Sequence, residues 1–144
     1  MIASDGTNGY EISTDPDRLD VELVHRWLST DAFWALGRTR ETVEESVRGS
    51  LNFAIYNASG DQAAYARVVT DHATFAWLCD VYVAPAHRGK GLGTWLATAV
   101  RDHLASYRLK RVLLSTLDAH GVYAKAGFVP VPNPENFMIL SAEG

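Results

Sequence analysis

The sequence has little of several features that would place a chain in a special class. Its single cysteine, Cys79, excludes an internal disulfide. No apolar run approaches the roughly 18–20 residues that are needed to cross a bilayer. Residues 1–8 are polar and lack the apolar centre of a secretory signal. We therefore expect a cytoplasmic protein that has no membrane partner.

An excess of positive charge and metal-ligand spacing are also missing. The chain has a net charge of −4, which disfavours a nucleic-acid partner because basic surface supplies most of such binding. Its five histidines show neither H-x-x-x-H nor H-E-x-x-H spacing, so no metal site is predicted. A length of 144 residues fits one domain over residues 1–144 with a core of ordinary size.

Hydrophobic periodicity predicts strands that alternate with helices. Strands are expected at residues 10–13, 53–56, 63–69, 75–83, 112–115 and 136–140. Helices are expected near residues 21–28, from 40 onwards, from 92 to 107 and at 119–126. Asp20 and Asp118 are the predicted N-caps of the first and last helices, and Leu51 is placed on the apolar face of the second.

The most informative segment lies between the strand at residues 75–83 and the helix that follows it. It combines alternating glycines with two cations: Gly89, Gly91, Gly93, Arg88 and Lys90. Glycine lets the backbone approach a ligand closely, and the free N–H groups and dipole of a helix N-terminus favour an anion. The segment therefore predicts a phosphate cradle.

The two common nucleotide motifs do not fit this segment. The dinucleotide fingerprint G-x-G-x-x-G fails because the third glycine arrives one residue early. The ATP-type loop fails because Ala-Pro-Ala stands at residues 84–86 and Gly91 occupies the position of the hydroxyl residue.

A longer stretch, V-Y-V-A-P-A-H-R-G-K-G-L-G from Val81 to Gly93, resembles the acetyl-CoA-binding signature of the GNAT superfamily of N-acetyltransferases. Later in the chain, Y-A-K-A-G-F at residues 123–128 resembles the Y-x-K-x-G-F segment of the same family. The resemblance implies an α/β (α+β) fold with a mixed, mostly antiparallel central sheet flanked by helices. That sheet is splayed between its fourth and fifth strands, and acetyl-CoA is held in the cleft.

The resemblance also implies which residues hold the cofactor. The backbone at the end of the fourth strand would pair with the pantetheine arm and offer an N–H group to the developing oxyanion. The loop and the helix start would cradle the pyrophosphate. The implied cofactor-binding residues are Val81, Tyr82, Val83, Arg88, Gly89, Lys90, Gly91, Leu92, Gly93 and Thr94.

Two residues are candidates for catalysis. By resemblance, Tyr123 lies near the CoA sulfur and acts as the general acid that protonates the leaving thiolate. Alternation places Asp80 on the same face of its strand as Leu78 and Tyr82, where a carboxylate needs a partner or a task. It either orients the amine and accepts its proton through water, or forms a structural salt bridge, and the sequence leaves both open.

The segment between the first two helices supplies candidate acceptor contacts. Trp34 offers a cation–π contact to an amine, and Arg38 offers a binding site for a carboxylate or phosphate. The alternative is a core tryptophan and a solvated arginine.

The predicted function is transfer of acetyl from acetyl-CoA to a primary amine of a small molecule, by direct attack in a ternary complex. A non-catalytic acyl-CoA-binding sensor or partner module is the alternative. A homodimer is compatible with the resemblance.

Overall fold

In residues 3–4 and 9–142, which the computed structural model describes, six strands form one sheet in their order along the chain. The strands are β1 (Ala3–Ser4), β2 (Glu11–Ser13), β3 (Leu51–Tyr56), β4 (Gln62–Thr70), β5 (Phe75–Val83) and β6 (Arg111–Leu114). Neighbours pair antiparallel except β5 and β6, which are parallel. The expected mixed, mostly antiparallel sheet is confirmed. The sequence did not predict β1.

Helices cover both faces of the sheet. They are α1 (Val21–Thr30), α2 (Arg40–Arg48), α3 (Leu92–Ala105) and α4 (His120–Lys125), with single 3₁₀ turns at Pro85–His87 and Pro134–Asn136. One core cluster joins α3 to the sheet through residues that include Phe53, Ile55, Leu78, Leu96 and Val100. A second joins α1 and α2 to the opposite face through Val24, Leu28, Val43, Tyr65 and Tyr82.

Local capping chemistry explains where the first two helices begin. The Asp20 carboxylate accepts a hydrogen bond from the backbone N–H of Leu23, as predicted. Thr39 caps α2 in the same way. Leu51 does not extend the face of α2, because the helix ends at Arg48 with Gly49 as its C-cap, and Leu51 opens β3.

Two predictions about the last third of the chain are wrong. Asp118 does not cap α4: the helix is preceded by Ala119, whose N–H donates to the Thr116 hydroxyl at 3.0 Å. Residues 136–140 do not form a strand, although their apolar pattern favours one. An apolar pattern favours a strand only where a neighbouring strand is available to pair with it. Within residues 9–142 no strand pairs with this segment.

A β-bulge interrupts the pairing of β4 with β5. Tyr65 lies opposite Tyr82 and Arg67 lies opposite Cys79, so Asp80 and Val81 together face a single residue of β4. Asp80 adopts the left-handed conformation, with φ of +53°, a region that aspartate tolerates better than most residues.

The bulge also reverses the alternation of side chains along β5. Leu78, before the bulge, belongs to the core under α3, whereas Tyr82, after it, belongs to the core under α1 and α2. The prediction that Asp80 shares one face with both residues is therefore wrong, because a strict period of two assumes a regular strand.

The sheet opens beyond the middle of β5. Residues Phe75 to Leu78 of β5 pair with Arg111 to Leu114 of β6, and there β6 ends while β5 continues to Val83. The predicted splay, between the fourth and fifth strands counted from β2, lies at this point. No helix in the described ranges is long and apolar enough to cross a membrane.

Candidate active site

The loop that follows β5 takes a shape that requires glycine. Gly89 and Gly91 have φ of +82° and +75°, which strain any L side chain. A Cβ atom at either residue would meet no described atom within 4 Å, so this backbone borders open space. At Gly93 a Cβ atom would lie 3.7 Å from Val122, which places α4 beside the start of α3.

The N-terminus of α3 presents unused donors at the same place. Its N-cap is Gly91, which has no side chain to bond to the first turn. The helical hydrogen bonds begin with the N–H of Trp95, which donates to the carbonyl of Gly91 at 3.0 Å. The three N–H groups between them, at Leu92, Gly93 and Thr94, therefore point out of the helix, where its dipole favours an anion.

The Arg88 side chain turns back onto the end of β5. Its Nε donates to the carbonyl of Val83 at 2.9 Å, and its Nη2 donates to the carboxylate of Asp31 at 3.0 Å. The Tyr82 hydroxyl donates to the same Asp31 oxygen at 2.6 Å. The bonds from Tyr82 and Arg88 lower the pKa of Asp31. Arg88 thus ties β5 to the end of α1. Because its guanidinium group is engaged in these bonds, Arg88 offers the cradle its backbone more directly than its charge.

Lys90 points toward β2. Its ammonium group donates to the Tyr10 hydroxyl at 3.2 Å, and that hydroxyl is 2.7 Å from Nδ1 of His87. A cavity of about 510 Å³ lies here, lined by Tyr10, Lys90 and the β3–β4 turn at residues 57–59. The ammonium group therefore borders this cavity.

Four side chains meet at the bulge of β5. Asp80 is 5% exposed, and its Oδ1 accepts from the indole N–H of Trp34 at 2.9 Å. Its Oδ2 accepts from Nη1 of Arg38 at 2.8 Å and from Nε of Arg67 at 2.9 Å. Burial raises the pKa of Asp80, but Arg67, Trp34 and Arg38 together lower it by more. The pKa of Asp80 therefore lies below its ordinary value. The carboxylate is therefore ionised at neutral pH, with both oxygens engaged.

The structure thus brings Asp80, Trp34 and Arg38 together, although they are far apart in the sequence. Sequence reasoning missed Arg67, which also bonds to the Ser50 hydroxyl at 3.1 Å. A signal was present, because Arg67 is the one charged residue in the predicted strand at 63–69. A charge within such a strand needs a buried partner.

The segment between α1 and α2 forms an apolar wall beside this cluster. Phe33, Trp34 and Leu36 are all substantially exposed, and the rings of Phe33 and Trp34 meet edge to face at 5.1 Å. The segment is fixed to α1 by the N–H of Gly37, which donates to the carbonyl of Ser29 at 2.9 Å. Exposed aromatic surface that is held in place suits a binding pocket better than a core.

Tyr123 lies on α4, partly buried against Phe128 at a ring distance of 6.0 Å. Burial, and to a lesser extent Asp118, raises its pKa. Its hydroxyl receives and donates no hydrogen bond within residues 9–142. The phenol is therefore a neutral donor at physiological pH with an unused proton.

Comparison with known proteins settles the family. Residues 21–128, which include the bulge, the glycine loop and α4, match the model of the Acetyltransferase (GNAT) family. The chain belongs to the GNAT acetyltransferases. A candidate acetyltransferase from Gibberella zeae is 31% identical over 135 aligned residues, which cover 81% of this chain and 76% of that protein.

Solved GNAT structures agree with the fold. A candidate GNAT acetyltransferase from Xanthomonas campestris pv. campestris superposes with a TM-score of 0.86 at 42% identity, covering 92% of this chain and 93% of that chain. Spermidine N-acetyltransferase from Vibrio cholerae, solved with CoA and spermine, superposes with a TM-score of 0.68 at 18% identity, covering 84% and 81%. The latter likeness shows the fold alone.

Membership of the GNAT family confirms the predicted enzyme class, an acyltransferase that uses acetyl-CoA. The roles of individual residues, including Tyr123, Asp80 and the glycine loop, stay predictions. Within the described ranges no three histidine, cysteine, aspartate or glutamate side chains are grouped as metal ligands would be.

Proposed function

We propose that this GNAT protein acetylates the primary amine of a small molecule by direct attack on acetyl-CoA in a ternary complex. The observation that carries the proposal is the open edge of β5. Beyond Leu78 this edge has no neighbouring strand among the described residues. Through the 3₁₀ turn at Pro85–His87 it leads to the glycine loop and the N-terminus of α3.

The residues of the loop fit the cosubstrate. Positive φ at Gly89 and Gly91, with open space where a Cβ atom would lie, lets a diphosphate approach the backbone. The outward N–H groups of Leu92, Gly93 and Thr94 supply donors and a favourable dipole for that anion. In the proposal, the backbone of Val81 to Val83 pairs with the extended pantetheine arm along the open strand edge.

Tyr123 is proposed as the proton donor to the departing thiolate. A phenol whose pKa is raised by burial stays protonated, and its hydroxyl has no competing partner in residues 9–142. Asp80 is less suited to proton transfer, since a carboxylate held by two guanidinium groups has a lowered pKa and accepts protons poorly. We assign it the task of orienting Trp34 and Arg38 beside the acceptor.

A small-molecule acceptor is supported by the site. Two exposed aromatic rings, those of Phe33 and Trp34, adjoin the Asp80 cluster and offer apolar surface to a small acceptor. The spermidine N-acetyltransferase of Vibrio cholerae, which has the same fold, was solved in complex with CoA and spermine, a small amine.

The test is thiol release from acetyl-CoA with a broad panel of amines, using wild type, Tyr123→Phe and Tyr107→Phe. Tyr107 is the matched control because it packs against His72 and His103 just beyond the C-terminal end of α3, whereas the glycine loop precedes the N-terminal end. We expect kcat to fall about 10²-fold or more in Tyr123→Phe, the scale of general acid catalysis, while acetyl-CoA affinity by calorimetry is unchanged. Tight acetyl-CoA binding without turnover of any amine would instead support the sensor module.

A further inference from the structure

The ion pairs at the bulge of β5 leave an excess of positive charge. Two guanidinium groups, on Arg38 and Arg67, share the single carboxylate of Asp80. Asp31, the carboxylate bonded to Tyr82 farther along β5, is engaged by Arg88 and is half exposed. The cluster of Asp80, Arg38 and Arg67 therefore carries a net charge of about +1 beside the proposed acceptor wall.

Most of the donors on Arg38 are unused. A guanidinium group has about five N–H donors, and within residues 9–142 that of Arg38 donates to Asp80 and to no other group. Its side chain is 21% exposed, so it is largely desolvated yet reachable from solvent. A partly desolvated cation with free paired donors is the usual partner of a carboxylate, which it binds through two parallel hydrogen bonds.

We propose that the acceptor is an amine that also carries a carboxylate, and that Arg38 binds this carboxylate. The inference rests on the proposed acetyl transfer and names its substrate class. Asp80 accepts a hydrogen bond from the guanidinium group of Arg38 and is itself held by Trp34, so the free N–H donors of Arg38 are preorganised. The exposed rings of Trp34 and Phe33 cover the apolar part of such an amino acid. A polyamine would place further positive charge beside Arg38 and Arg67, and is disfavoured.

The experiment compares matched acceptors that differ by one carboxylate: phenylalanine with phenethylamine, leucine with isoamylamine, and lysine with cadaverine. We expect kcat/KM to be at least about tenfold higher for the carboxylate member of the accepted pair, the equivalent of about 1.4 kcal/mol. Arg38→Gln should raise KM for that member by a similar factor and leave KM for its decarboxylated partner unchanged. Arg40→Gln is the control, because Arg40 is exposed and pairs with Glu22 and Glu44.

The outcomes separate this inference from the proposed function. Equal or better use of the decarboxylated amines would overturn the carboxylate site while acetyl transfer stands. An equal rise in KM for both members in Arg38→Gln would overturn it as well, since the arginine would then act through structure alone. Silence of these pairs and of every other amine in the panel, with acetyl-CoA bound tightly, would reject the proposed transfer and the inference together.

The far edge of the sheet, at β6, is open among the described residues. The last strand, β6, has a neighbour on one side only among the described residues. A cavity of about 760 Å³ lies beside it and is lined largely by apolar side chains, including Leu104, Leu109, Val112, Leu113, Phe128 and Val131. A free strand edge next to apolar surface readily accepts another strand.

The same chain carries an unpartnered apolar segment, residues 137–140. Phe137 lies at the rim of the cavity, and Met138, Ile139 and Leu140 beyond it are 98%, 88% and 100% exposed. Three consecutive apolar side chains in water are unfavourable by the hydrophobic effect alone. The chain before them, at residues 131–133 and 136, borders the cavity, whereas these three exposed side chains do not line it.

We infer that residues 137–140 of one copy add as a strand to β6 of a second copy, and the reverse. Donor and acceptor are both present in each chain and both span four residues, so one two-fold axis satisfies both at once. Each added strand would cover the backbone edge of β6 and bury alternate apolar side chains of residues 137–140 in the cavity.

The test is the molar mass of the protein in solution by light scattering after size exclusion, over a range of concentrations. We expect a dimer for wild type and for the control Leu36→Asp, whose exposed side chain lies between α1 and α2, and a monomer for Ile139→Asp. A wild type that is monomeric throughout would overturn the inference, including when hydrogen exchange shows its tail docked on its own β6. A dimer that persists in Ile139→Asp would also overturn it.

Discussion

Replacement of Asp80 by asparagine removes one negative charge from the cluster at the bulge of β5. Asparagine has the same shape as aspartate, so packing against Trp34 is preserved while Arg38 and Arg67 lose their counter-ion. Their side chains are 21% and 15% exposed, and that of Asp80 is 2% exposed. Breaking a fully buried ion pair costs about 3–5 kcal/mol. Because solvent reaches both arginines in part, we expect a loss of about 2–4 kcal/mol.

For a domain of this size that loss lowers Tm by about 5–15 °C. Differential scanning calorimetry at pH 7 measures it, with Asp102→Asn as the control. Asp102 is exposed and pairs only with its neighbour Arg101 within the described part of the chain, so its replacement should move Tm by about 1–2 °C at most.

The pH dependence gives a sharper test of the same idea. Because the pKa of Asp80 is lower in the folded chain than in the unfolded chain, its stabilisation is fully present above the unfolded value. It is lost as the pH falls through the folded value. The Tm difference between wild type and Asp80→Asn should therefore be constant from pH 8 to about 5 and shrink in more acidic solution. A difference that is absent at pH 7, or that is unchanged at about pH 3, would refute the assignment of an ionised, doubly paired carboxylate.

Two further predictions concern the loop and the sheet. Gly91→Ala forces an L side chain to φ of +75° and should lower the free energy of unfolding by about 1–2 kcal/mol. It should also weaken CoA binding in calorimetry. In the control Gly121→Ala, where φ is not positive and space is open, CoA affinity and Tm should stay nearly unchanged. Tyr65→Phe removes the hydroxyl that donates to the buried Asn52 side chain. It should lower the free energy of unfolding, measured with denaturant, by about 1–3 kcal/mol. An unchanged midpoint would mean that water replaces the donor.

Local rules were enough for much of the fold. Asp20 caps α1 because the interaction spans three residues and depends on no other part of the chain. The glycine loop could also be predicted locally, because Gly89 and Gly91 adopt positive φ, a conformation that glycine adopts more easily than any other residue. The family resemblance supplied the splay of the sheet, which no local pattern encodes.

Interactions between residues that are not predicted by local patterns account for the predictions that were wrong or missing. Asp118 is a good cap by type, but the Thr116 hydroxyl takes the N–H of Ala119 instead. Arg67 was missed because its partner, Asp80, lies on the neighbouring strand β5. The β-bulge adds one residue to β5 there, which shifts the pairing between the two strands. Periodicity detects faces of regular elements, and a bulge is a departure from regularity.

That bulge connects the two halves of the proposed site. Before it, β5 pairs with both neighbours and buries Leu78 under α3. After it, the side chain of Tyr82 faces α1 and α2, while Val81 and Val83 pack against the α3 core and β6 no longer covers the strand edge. One inserted residue thus places the Asp80 cluster on the face under α1 and α2, the proposed acceptor side, close to the backbone edge proposed to hold the thioester. A variant that deletes one residue at the bulge should therefore impair acceptor use and acetyl-CoA binding together, whereas changes at Arg38 or Gly91 should each impair one.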